Sequence, residues 1–164
     1  MTTKIGSAAT AKVAQLIGSP NGVQAKLSAL TQGDSSLAVS VPAEVRQQNV
    51  AADLMEKAGG VTYPAINVYC QKIVNSQKEK FRRFSGQVHV AAEVRHSQDR
   101  LDGLEGRLQI YADAIAQTLQ SSVGDWGDGM FFGGGYEVSF SAVKHGGRNF
   151  LQAAVVTFAL DVSK

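Results

Sequence analysis

Hydrophobic positions change period along this chain, and each change marks an element. From Ala65 the period is two: Ile66, Val68 and Cys70 fall on one side and Asn67, Tyr69 and Gln71 on the other, predicting a strand to about Asn75. Gly86, Val88, Val90, Ala92 and Val94 then alternate with Gln87, His89, Ala91, Glu93 and Arg95. One side of that strand is apolar and the other mostly polar, so its sheet has a buried face and a wetter face. The period next lengthens. Leu101, Leu104, Leu108, Tyr111, Ile115, Leu119 and Val123 step by three or four residues and predict the longest helix, over 99–123. Asp99 is placed to cap it, Asp102 lies in the first turn where the dipole favours acid, and Gly124 stops it. Gly103 and Gly106 sit off the apolar stripe and predict close approach to a backbone.

Gly124 to Gly135 (GDWGDGMFFGGG) reads as a flexible segment carrying three large aromatics. Tyr136, Val138, Phe140 and Ala142 start another strand, and HGGRN turns the chain. Phe150 through Val162 is a strand apolar on both faces, which makes it central in a sheet or covered on both sides. Upstream, Val13, Leu16 and Ile17 predict a short helix stopped by Gly18, and Ser19-Pro20 opens a second through Val23, Leu27 and Leu30 to Gly33. Their stripes are narrow, so they need a docking surface, either the main domain or a neighbouring subunit. A further helix is predicted from Pro42, with Val45, Asn49, Ala52 and Met55 on one stripe, ending at Gly59-Gly60.

The predicted fold is α+β: a mostly antiparallel sheet of about four strands, a long helix packed across it, and a helical N-terminal arm. Residues 1–40 form the arm and 41–164 the α+β domain. At 164 residues and 44% hydrophobic, the chain can bury a core. It has no apolar run of membrane-spanning length, so no membrane partner is expected. A single cysteine, Cys70, excludes an internal disulfide and a multi-cysteine zinc site. A net charge of +2 is too mild to argue for nucleic acid by itself.

The search for chemistry returns little. His89, His96 and His145 stand outside any metal-ligand motif and read as surface or turn residues. Cys70 shares the apolar side of its strand and reads as a small core residue. Asp125 and Asp128 lack the spacing of a calcium loop, and Gly133–Gly135 precede a strand, whereas phosphates are cradled at helix N-termini. No catalytic residue, metal or cofactor is expected, and the chain is read as a non-enzyme. Lys78, Lys80, Arg82 and Arg83 form a basic loop bracketed by Phe81 and Phe84. It reads either as a solvated loop anchored by its phenylalanines or as a surface that holds phosphates and stacks bases. Trp126, Met130, Phe131 and Phe132, strung on glycines, suit an interface better than a monomer's core and are read as subunit contacts.

The Tyr-Pro-Ala-Ile strand entry at 63–66, the basic loop ending Phe84-Ser85-Gly86, the helix at 99–123, and the strands around His145-Gly146-Gly147-Arg148-Asn149-Phe150 carry a resemblance. From Tyr63 through Asp161 the chain resembles the tail-terminator (tail-completion) proteins of long-tailed bacteriophages. The resemblance implies a structural virion protein, assembled in the host cytoplasm, that forms a six-membered ring at the head-proximal end of the tail tube. Such a ring ends tube growth and joins tail to head. Its partners would be further copies of itself, the tail tube protein and the head-neck connector, with DNA passing through the lumen without sequence recognition. On that reading Lys144, His145 and Arg148 and the 78–84 loop face other subunits or the lumen. The alternatives are another neck or tube-end ring protein, and a single-stranded nucleic-acid binding module using Phe81, Arg82, Arg83 and Phe84. A third reading is an enzyme with a cleft near His96 and the 124–135 loop.

Overall fold

The computed structural model describes residues 4–32, 39–42, 44–146 and 149–164. In chain order they form α1 (Ile5–Gly18), α2 (Val23–Leu30), β1 (Val45–Arg46), α3 (Ala52–Ala58), β2 (Ala65–Asn75) and β3 (Ser85–Gln98). Then follow α4 (Leu104–Gln120), β4 (Gly124–Gly127), β5 (Met130–Phe140), β6 (Lys144–Gly146) and β7 (Asn149–Ser163). Gly33 and Arg148, a helix stop and a contact residue in the sequence reading, lie outside the described residues.

The expected sheet of about four strands with one long helix across it is not what forms. Among the described residues seven strands make one curled mixed sheet, in the order β1-β2-β3-β7-β5-β4, with β6 also paired to β7. β1 runs parallel to β2, and every other pair is antiparallel. α4 has 17 residues, α1 shares the covering of the sheet with it, and α2 packs on α4.

Two features explain the difference. Glycine has no side chain and so shows no alternation, yet its backbone pairs like any other, and the glycine-rich 124–135 segment becomes the β4–β5 hairpin. Its turn runs Gly127, Asp128, Gly129, all at positive φ, a conformation open to glycine and tolerated by Asp. Gly129 also has no room for a side chain, since a Cβ there would lie 2.1 Å from the Ser163 carbonyl oxygen. The second feature is the 44–51 stretch, part of the helix predicted from Pro42. It supplies instead the short strand β1, and helix begins only at Ala52.

β7 is central as its two apolar faces predict: β3 pairs along its full length on one side, β5 and β6 on the other. Ala154, Val156, Phe158, Leu160 and Val162 point into the core with Val88, Val90, Ala92 and Val94 of β3. α4 covers them with Leu108, Tyr111, Ile115 and Leu119. Its start is later than predicted. Asp99 does not cap it; Gly103, at φ 76°, is the N-cap, and Leu101 and Val123 are exposed beyond its ends. The expected backbone approach at Gly103 and Gly106 does not occur: a Cβ on Gly106 meets nothing within 4 Å, and Gly103 serves its left-handed turn.

The N-terminal helices belong to this same core. Ile5, Ala9, Val13 and Ile17 of α1 and Val23 and Leu27 of α2 are buried in it, α1 against β2 and α2 against α4. Ile17→Ala in the isolated protein should therefore cost about 2–5 kcal/mol, read as a lower urea midpoint with an unchanged m-value. An arm that docks only on a neighbouring subunit would leave the midpoint unmoved.

Candidate functional site

The sheet has two incompletely paired edges. Among the described residues β1 pairs only with Ile66 and Asn67, and β2 from Gln71 to Asn75 is exposed throughout. At the opposite edge β4 pairs only with Met130–Phe132, leaving Gly133–Phe140 of β5 with β7 as its one strand neighbour among the described residues. Both edges display large apolar groups: Ile73 and Val74 on β2, Tyr136 and Phe140 on β5. Tyr136 and Phe140 lie opposite Phe158 and Ala154, so they share the helix-covered face but sit where the helices leave it open.

One end of the sheet carries the β2–β3 loop, the C-terminus and the β4–β5 turn side by side. Phe84 and Lys164 exchange backbone hydrogen bonds of 2.8 Å, and the Ser163 N–H donates to the Gly129 carbonyl at 2.9 Å. The loop is pinned from within. Asn75 Oδ1 accepts from the backbone N–H groups of Gln77 and Ser85, at 3.3 and 3.2 Å. Glu79 accepts from Ser163 Oγ at 2.7 Å and faces Arg82 Nε at 3.5 Å. Lys78, Lys80, Arg82 and Arg83 are all exposed, as expected of a basic loop.

The two loop phenylalanines differ. Phe84 is buried in the core, whereas Phe81 is fully exposed and held at φ 66°, a backbone region that a bulky residue rarely occupies. The base-stacking reading thus loses one of its two rings. It keeps Phe81 among four cations.

The aromatic hairpin divides in the same way. Met130 and Phe132, read as contacts, are buried in this chain's own core, because pairing with β7 places them opposite Val162 and Leu160 on the helix side. Phe132 stacks edge-on to Phe158 with centroids 5.5 Å apart, and Trp126 lies 5.6 Å from Phe132. Trp126 is half-buried and donates its indole N–H to the Ser122 carbonyl. Phe131 alone of the four points outward, 48% exposed. Its cross-strand neighbours are Asp125 and Asp161, both exposed.

Lys144 and His145 are exposed on β6 and line an open cavity of about 470 Å³ with Asp53, Glu93, Arg95 and Ser141. Glu93 and Arg95 form an ion pair largely shielded from solvent. Arg95 also donates to the Val50 carbonyl, and Tyr69 Oη donates to Glu93 at 3.4 Å. Burial and the Glu93 carboxylate push the Tyr69 hydroxyl above its ordinary pKa. Periodicity put Glu93 and Arg95 on one strand face but could not show the Val50 carbonyl arriving over them. These groups are engaged with one another, and no group of three or more metal-ligating side chains occurs among the described residues.

His96 is not the surface residue expected. It lies under α4 with its ring 5.5 Å from Tyr111, and its Nδ1 is buried without a partner. Burial and the neighbouring Arg107 charge lower its pKa, with a hydrogen bond to Gln98 acting the other way. Tyr111, which donates to the Ser40 carbonyl at 2.8 Å, is pushed up to about 12 by burial. His96 pairs with Gln152, whereas Met130 and Phe132 pair with Val162 and Leu160, eight to ten residues further along β7, so His96 stands away from that hairpin. Cys70 is half-buried beside α1, and burial raises its thiol pKa, which disfavours the nucleophilic thiolate.

Phe132→Ala should lower stability by about 3–5 kcal/mol, while Phe131→Ala and Phe81→Ala should stay within about 0.5 kcal/mol, as read by urea melts. Because folding favours neutral His96, its folded pKa lies below the unfolded value of about 6.5 and unfolding takes up a proton. Its contribution is complete above that value and is lost as pH falls through it towards the folded pKa. The urea midpoint should drop between pH 7.5 and 5.5, and His96→Gln should flatten that drop. No protein-family model matches this chain, and no curated protein matches it.

Proposed function

We propose that this protein is a structural virion component that closes into a ring at the head-proximal end of a phage tail tube, ending tube growth and joining tail to head. The observation that carries the assembly reading is the pair of half-open sheet edges, each with large apolar side chains in water. Unpaired edges of this kind are templates for another strand or another copy. A contact between one edge and the opposite edge of the next copy is heterologous and closes into a ring when the rotation allows. The location rests on the resemblance of the 63–161 segment to tail-terminator proteins. Its partners on this reading are the tube protein and the neck connector, with the duplex passing through the lumen. Another ring of the neck or tube end uses the same surfaces.

Multi-angle light scattering across micromolar concentrations should give one discrete oligomer, and electron microscopy should place the protein at one end of purified tail tubes. A monomer throughout, absent from tube ends, would refute the proposal. Phe81 among its cations keeps the nucleic-acid reading open to a direct test. Tight single-stranded DNA binding with a steep salt slope, flattened by Arg82→Ala with Arg83→Ala, would favour that module instead.

A further inference from the structure

We infer that the basic Phe81 loop of one copy docks on the Phe131 patch of the next, a head-to-tail contact between two charge-complementary surfaces at the same end of the sheet. The inference deepens the assembly reading and rests on it for the existence of an oligomer. Phe81 is a fully exposed ring flanked along the loop by exposed Lys78, Lys80, Arg82 and Arg83, with Glu79 already engaged by Arg82 and Ser163. Phe131 is an exposed ring flanked across its strand by Asp125 and Asp161, and Asp128 lies in the adjoining turn. Of these acids, Asp125 accepts the Gly127 N–H and Asp161 accepts Gln87 Nε2. None is in an ion pair among the described residues. One surface is thus an aromatic ring set in cations, and the other an aromatic ring set in carboxylates.

Their placement suits a second copy of this chain. The basic loop joins β2 to β3 on one side of β7, and the acidic hairpin flanks β7 on the other. Both lie at the end where Ser163 and Lys164 bond Gly129 and Phe84. A copy rotated about an axis along the strands therefore presents its basic side to the acidic side of its neighbour at the same height. The loop's internal hydrogen bonds hold Phe81 outward in the free chain, so little ordering is left for the moment of contact. Like charges set against each other across such a contact reject the wrong pairing.

Charge reversal tests this directly. Lys80→Glu with Arg83→Glu makes both surfaces acidic, and Asp125→Lys with Asp161→Lys makes both basic. Each variant alone should show self-association weakened by at least about tenfold by light scattering or sedimentation, and an equimolar mixture should recover it as an alternating complex. Circular dichroism melts establish that each variant is folded. Should the strand reversals unfold the hairpin, Phe131→Ala and Phe81→Ala serve instead, each expected to weaken association with the melt unchanged. A wild-type oligomer indifferent to these changes, or a mixture of folded reversal variants that fails to recover, overturns the docking mode and leaves the assembly reading standing. A wild-type chain that stays monomeric at every concentration overturns both.

Discussion

The apolar double face of β7 is the constraint from which the rest follows. A strand carrying Ala154, Val156, Phe158 and Leu160 on one side and Leu151, Ala153, Val155 and Ala159 on the other cannot stand at an edge without exposing backbone and hydrocarbon together. It is flanked on both edges, by β3 and by β5 with β6, and roofed by α4 on one face. Satisfying β7 pushes the unmet hydrogen bonds outward. The strands that remain half-paired are β2 and β5, and they are where Ile73, Val74, Tyr136 and Phe140 meet water.

The same arrangement sorts the aromatics. Pairing with β7 alternates residues between faces, so Met130 and Phe132 go to the core while Phe131, between them, goes to solvent. In the β2–β3 loop, Phe84 reaches the core beside the C-terminus while Phe81 is turned out by its left-handed backbone. The loop thus buries Phe84 and exposes Phe81, while the hairpin packs Trp126 and Phe132 and exposes Phe131. The charges beside the two exposed rings are of opposite sign, and the docking proposed above rests on that complementarity.

Polar burial is concentrated elsewhere. At the far end of the sheet, His96, Gln98, Arg107 and Tyr111 gather beneath the start of α4, and Glu93, Arg95 and Tyr69 gather on the opposite face. In both places hydrogen-bond partners are supplied by the chain's own irregular segments: the Ser40 carbonyl reaches Tyr111, and the Val50 carbonyl reaches Arg95. These contacts tie Ser40 and Val50, which lie outside helix and strand, onto the rest of the fold. They engage Tyr111, Glu93 and Arg95, while His96 Nδ1 stays buried without a partner.

Period and composition by themselves determined β2, β3, β7 and the body of α4, because a side chain's face is set by repeat alone when a strand or helix is amphipathic or wholly apolar. They also located the basic loop and the aromatic hairpin as the places of interest. They did not determine that a glycine run forms strands, that 44–51 is not a helix, or that α1 packs on β2 and α2 on α4. Strand pairing through glycine is a backbone event that leaves no side-chain signal, and short helices with narrow stripes take their place from whatever surface is offered. Which phenylalanine faces water was likewise decided only in three dimensions. Phe131 and Phe132 are the same residue type one position apart, and only the register against Asp161 and Leu160 of β7 tells the pleat which of them to bury.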